Sequence, residues 1–126
     1  MQAIINVELD DKALPGYSIE DKYQAVINKV RGWFVHCVGE IRNTGYVNNE
    51  DEIVEATTAV ISIEFAGSKE TFEMAMHQLC TQFNQDCVAV LYSDGQGILA
   101  GPKSQSWGAF NFEYFTVPSM YELLAA

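Results

Sequence analysis

The chain has 126 residues, 48% of them hydrophobic and 19% charged, a composition that suits a single domain over residues 1–126 with a core of its own and excludes a disordered or low-complexity protein. Seventeen Asp and Glu against seven Lys and Arg give a net charge of −10, which repels phosphate backbones and anionic headgroups and so argues against direct nucleic-acid or membrane binding. Three cysteines without a CxxC spacing, no basic leader and no apolar run of membrane-spanning length point to a reduced cytoplasmic protein, in the cytoplasm of the host if the gene is viral.

Residues 3–9 (AIINVEL) are apolar and rich in β-branched side chains, and predict a first strand that ends at Asp10 and Asp11, before a loop closed by Pro15 and Gly16. Ser18 offers a helix N-cap with Asp21 three positions on, and the acids Glu20 and Asp21 suit the positive end of a helix that begins at Ile19. Tyr23, Val26, Ile27, Val30, Trp33, Phe34 and Cys37 recur at steps of three and four, so this helix is expected to run to Val38 and Gly39; FVHCV after Arg31 also reads as a buried strand.

Two extended segments follow, 40–47 and 53–65, joined by the polar turn Asn48, Asn49, Glu50, Asp51. In the second, Ala59, Ile61, Ile63 and Phe65 alternate with Thr58, Ser62 and Glu64, the pattern of an antiparallel strand with one face in the core. Ser68 then caps a second amphipathic helix, marked by Phe72, Ala75, Met76, Leu79, Cys80 and Phe83 and ending near Asn84. CVAVLY (87–92) suits a central strand, and Asp94-Gly95 within SDGQG is a hairpin turn to a partner at 98–100. The order β-α-β-β-α-β, with an extra hairpin strand and an aromatic tail, is that of an α+β, ferredoxin-like (split βαβ) antiparallel sheet with two helices on one face.

The chain carries no spacing that announces a catalytic or metal centre. His36 and Cys37 are adjacent, so on a helix they diverge by about 100 degrees and do not form a nucleophile and base pair, and His77 with Glu73 four residues earlier suits a solvated helix face. No short ligand spacing for zinc is present, and 48–52 lacks the glycine and spaced carboxylates of a calcium loop. SDGQG lacks the pattern and the following helix of a phosphate-cradling loop. No cofactor, metal or catalytic residue is therefore expected.

Function is sought instead in the surface. QSWGAFNFEYFTVP (105–118) alternates Phe110, Phe112 and Tyr114 with Asn111 and Glu113, and adds Trp107 and Phe115 outside that stripe, so it reads either as an edge strand that closes the chain's own core or, since both sides are harder to bury, as an interface. The primary expectation is an acidic, non-enzymatic binding or inhibitory protein. Its anchors are Trp107, Phe110, Phe112, Tyr114, Phe115 and Tyr121, with Glu50, Asp51 and Glu52 facing a basic protein or nucleoprotein complex; a viral inhibitor of a nucleic-acid-handling enzyme is one version, and a homodimer through its sheet edge another. Two other readings stay open. One is an oligomeric protein that senses or sequesters a small ligand or nucleotide with Arg42, Lys103, Trp107 and Tyr114; the other is an enzyme using carboxylates such as Glu8, Glu64 or Glu113 as acid or base.

Overall fold

The structure, a computed structural model, describes residues 1–47, 53–85, 87–101 and 115–116. Its elements are β1 (Gln2–Glu8), α1 (Ile19–Trp33), β2 (Cys37–Val47), β3 (Ile53–Glu64), α2 (Lys69–Gln82), β4 (Val88–Tyr92), β5 (Gly97–Ala100) and β6 (Phe115–Thr116). The strands form one six-stranded sheet in the order β5-β4-β1-β3-β2-β6, and every neighbouring pair is antiparallel. The inner four, β4-β1-β3-β2, are the split βαβ arrangement expected from the element order; β5 widens one edge as a hairpin and β6 pairs with the far end of β2.

Both helix starts follow from their caps. Ser18 Oγ accepts from the Asp21 amide at 3.2 Å and Ser68 Oγ from the Thr71 amide at 3.2 Å, each satisfying one of the free N–H groups of a first helical turn. At the other end of α2, Asn84 takes φ +52° and the Gln85 amide turns back onto the Cys80 carbonyl at 2.8 Å, which stops the helix at Gln82, two residues before the expected end. Gly95, at φ +92°, supplies the left-handed residue of the β4–β5 turn.

The end of α1 corrects the expected boundary. The helix stops at Trp33, Phe34 is already extended at φ −131° and ψ 107°, and β2 begins at Cys37. Cys37 extends the helical stripe only by coincidence: in the strand, Cys37, Gly39 and Ile41 share a face opposite Ile63, Ile61 and Ala59, and pairing with β3 decides between two local patterns that the segment itself allows. Gly39 is needed for another reason than a helix stop. A Cβ there would lie 2.9 Å from Ile27 Cδ1, 2.9 Å from Tyr23 Oη and 3.0 Å from Ile61 Cγ1, so α1 packs directly on the β2 backbone. Gly39→Ala is therefore expected to destabilise the protein by about 1–3 kcal/mol through overpacking. In a helix the same change would stabilise by up to about 1 kcal/mol, so the sign of the shift in the urea midpoint distinguishes the two backbones.

The core lies between the helices and one face of the sheet. Ala3, Ile5 and Val7 of β1, Ala59, Ile61 and Ile63 of β3, and Val88, Val90 and Tyr92 of β4 face Val26, Ile27 and Val30 of α1 and Phe72, Met76, Leu79 and Cys80 of α2. Rings dominate one end: Phe65 stacks on Phe72 with centroids 4.5 Å apart, and Phe34 and Tyr92 meet Phe72 at 5.2 and 5.9 Å. Tyr92 is fully buried yet keeps its hydroxyl satisfied by donating to Glu73 Oε1 at 3.0 Å, and burial together with the Glu73 charge pushes its ionisation well above the usual tyrosine range. Lys69 closes this end, its ammonium 4.5 Å over the Tyr92 ring and 2.6 Å from both Asp94 Oδ2 and Gln96 Oε1, which ties the start of α2 to the β4–β5 turn. That cation also holds the Asp94 carboxyl below its ordinary range.

Candidate functional site

The sheet has a second face, and neither described helix belongs to it. Alternation along β1 sends Ile4, Asn6 and Glu8 there, and the registers place beside them Ser62, Val60 and Thr58 of β3, Val38, Glu40 and Arg42 of β2, and Leu91 and Ala89 of β4. Exposure divides this face in two. Ile4, Val60 and Leu91 are 1% exposed and closed to any ligand, whereas Glu8 is half-buried and the side chains of Glu40 and Arg42 are 42% and 29% exposed. The accessible part holds the exposed Val38 near the start of β2 and, toward the end of β1 and the middle of β2, a polar patch.

Within it, the registers align three residues of different chemistry. Glu8 of β1 pairs with Thr58 of β3, and Thr58 pairs in turn with Arg42 of β2, so an acid, a hydroxyl and a guanidinium form one row across three strands. Two strand spacings put the Glu8 and Arg42 backbones about 10 Å apart. Thr58 is the floor of the row at 1% exposed, with Oγ1 donating to the Arg42 carbonyl at 3.1 Å. Gln85 Nε2 donates to the Glu8 carbonyl at 3.1 Å, which fixes the main chain under the carboxylate. In the adjoining row Asn6 and Glu40 flank Val60, and Arg42 Nε meets Glu40 Oε1 at 2.6 Å. Such a surface sets the half-buried Glu8 on one side of Thr58 and, on the other, an Arg42 that keeps guanidinium donors beyond the one given to Glu40, because Nε carries one of five N–H donors.

The residues named from the sequence fall unevenly on this geometry. Arg42 sits at its centre, and Glu8 belongs to it. Glu64 is exposed near the opposite end of the sheet, paired with Gln2. Phe115 enters through its backbone, as the β6 residue opposite Tyr46. Trp107, Phe110, Phe112, Glu113, Tyr114, Tyr121, Lys103, Glu50, Asp51 and Glu52 lie outside the described residues. Cys37 is buried on the helix side of the sheet, at the start of β2 and not on the helix stripe where it was expected, and the exposed His36 precedes it in the bend between α1 and β2. Among the described residues no group of three or more His, Cys, Asp and Glu is placed to hold a metal ion, and no helix is long and apolar enough to cross a membrane. The Glu8–Thr58–Arg42 row escapes a reading of the sequence because no local signal states which residue of one strand opposes which residue of another some 50 positions away in the chain.

The chain matches no protein-family model and no curated protein. Among solved structures it is similar to a phage SAM lyase in complex with S-methyl-5'-thioadenosine, at 22% identity over 90% of each chain and a TM-score of 0.50. A phage SAM lyase in the apo state gives 22% identity over 87% of each chain and a TM-score of 0.48. At that identity the first likeness establishes the fold. It also corrects the expectation of a non-enzymatic protein-binding or inhibitory molecule, since the neighbour that shares the architecture over nine-tenths of this chain is an enzyme. Charge alone does not decide between such classes, because the sign of a net charge does not tell a small cationic ligand from a basic protein.

Proposed function

We propose that this protein is an enzyme that cleaves S-adenosylmethionine and releases S-methyl-5'-thioadenosine, with the Glu8 end of the polar row receiving the cationic amino-acid end of the substrate. The observation that carries this reading is the shared architecture with a lyase that holds S-methyl-5'-thioadenosine in its structure. The charge pattern agrees with it. S-adenosylmethionine has a sulfonium, an ammonium and one carboxylate and is a net cation at neutral pH, while S-methyl-5'-thioadenosine is neutral. A protein of net charge −10 therefore draws in the substrate over a Debye length and exerts no such pull on the product.

The product defines the bond that breaks. S-methyl-5'-thioadenosine keeps the methyl group and the 5' carbon, so the bond lost is the one from sulfur to the four-carbon amino-acid chain, and its electron pair stays on sulfur as the positive charge disappears. A lyase adds no water. The carbon that loses sulfur is completed either by the carboxylate oxygen of the same fragment, closing a lactone, or by an alkene formed as a neighbouring carbon gives up a proton to a base. In both routes a carboxylate held on the sulfonium would stabilise the starting state more than the transition state, so Glu8 serves better on the ammonium, where the charge persists through the reaction.

The two buried cysteines, Cys37 and Cys80, form no disulfide, which suits a reducing compartment, and we place the reaction in the cytoplasm. The test is direct: the purified protein incubated with S-adenosylmethionine is expected to yield S-methyl-5'-thioadenosine in step with substrate loss, followed by chromatography with mass detection. Proton NMR of the four-carbon product, which is isomeric in the two routes, separates alkene from lactone. Substrate that outlasts the incubation unchanged, beside a boiled control, would rule the proposal out.

A further inference from the structure

We infer that Arg42 selects the intact substrate over its product, by binding the α-carboxylate that S-adenosylmethionine carries and S-methyl-5'-thioadenosine lacks. The inference rests on the proposed reading of the site and adds to it a residue, an orientation and a basis for product release.

Three observations support it. Of the Lys and Arg side chains among the described residues, Arg42 is the one on a strand; Lys22, Lys29 and Arg31 belong to α1, Lys69 to α2 and Lys12 to the loop between β1 and α1. It lies on the sheet face that carries Glu8 and Glu40, where an anionic group has no other described cation to meet. Second, the guanidinium is placed for a ligand and not consumed by its neighbour: Nε meets Glu40 Oε1 at 2.6 Å, which orients the plane and leaves the Nη donors, and the side chain is 29% exposed. Third, the row has the polarity of an amino acid. Glu8 and Arg42 stand on either side of Thr58, with backbones about 10 Å apart, a gap that long side chains from both strands can narrow from each side. An α-ammonium and an α-carboxylate on one carbon fit that gap in one orientation, ammonium toward β1 and carboxylate toward β2.

The chemical consequence is selectivity between substrate and product. Cleavage separates the nucleoside from the amino-acid group that meets Glu8 and Arg42. The product is then held only through its adenosine and thioether, and without a charge-assisted hydrogen bond at either end of the row it departs more readily than the substrate.

Binding of probes without the sulfonium leaving group reads this without turnover. Wild-type protein titrated calorimetrically with S-adenosylhomocysteine, its decarboxylated analogue and S-methyl-5'-thioadenosine is expected to bind the first roughly ten- to a hundred-fold more tightly than the second. Arg42→Met is expected to abolish that difference and leave the affinity for S-methyl-5'-thioadenosine unchanged. Arg42→Lys, which keeps the charge and loses the fork, is expected to restore part of it. The Thr58 hydrogen bond goes to the Arg42 main chain, so neither substitution removes it, and the unchanged affinity for S-methyl-5'-thioadenosine shows that the fold is intact. Retention of the full preference for the carboxylate by Arg42→Met overturns the inference and leaves the proposed reaction standing. Failure of wild-type protein to bind S-methyl-5'-thioadenosine or to consume S-adenosylmethionine overturns the proposed reaction and the inference together.

Discussion

Glu8→Gln is expected to lower kcat/KM for S-adenosylmethionine about ten- to a hundred-fold, chiefly through KM. A hydrogen bond to a charged group contributes about 1.5–3 kcal/mol, and the amide keeps the shape of the carboxylate while it gives up the charge that the ammonium requires. The fold should tolerate the change, because the hydrogen bond that holds this end of β1 in place runs from Gln85 Nε2 to the Glu8 carbonyl, not to the side chain. Glu64→Gln is the control. Glu64 is exposed and pairs with Gln2 at the other end of β1, so loss of its charge removes the same unit from the molecular total without touching the row. Equal falls for both variants would make the effect one of net charge, and a kcat/KM for Glu8→Gln within about two-fold of wild type would remove Glu8 from the site.

Phe72→Ala is expected to be strongly destabilising, by about 3–5 kcal/mol. Phe72 is 1% exposed and touches three other rings: it stacks on Phe65 at 4.5 Å and meets Phe34 at 5.2 Å and Tyr92 at 5.9 Å. These rings come from α2, from the residue after β3, from the end of α1 and from β4, so the cavity left by truncation opens where four parts of the fold converge and none can close it alone. The measurement is the urea midpoint with its slope. A loss below about 1 kcal/mol would mean that the rings repack and that the convergence is not what holds the helices to the sheet. Because Phe72 sits on the helix side of the sheet, Phe72→Ala and Glu8→Gln probe opposite faces, and their effects on stability should add.

The legible part of the fold was the part written in local periodicity and local capping. Ser18 and Ser68 marked the helix starts, the alternation of Ala59, Ile61 and Ile63 marked β3 and its buried face, and Asp94 and Gly95 marked the hairpin turn. Segment 33–38 was legible only as an ambiguity. Trp33, Phe34 and Cys37 satisfy a helical stripe while Cys37, Gly39 and Ile41 satisfy a strand, and no residue in the segment resolves the choice; the β3 register does, through Cys37 opposite Ile63 and through the close approach of α1 to Gly39. The candidate site was legible as a set of separate residues, since Glu8 and Arg42 each drew notice, but not as a site.

By itself, then, the sequence determined the element order, the identity of the face that each helix and β3 bury, and the negative field in which any ligand must arrive. These depend on spacing along the chain and on the sum of charges, both of which are present before folding. Only the tertiary structure decided that Glu8, Thr58 and Arg42 share a row, because strand register is fixed by which buried faces match across the sheet, and that matching involves segments distant in sequence. The same pairing turned an acidic residue and a basic residue, each unremarkable where it stands in the chain, into the two ends of one polar surface.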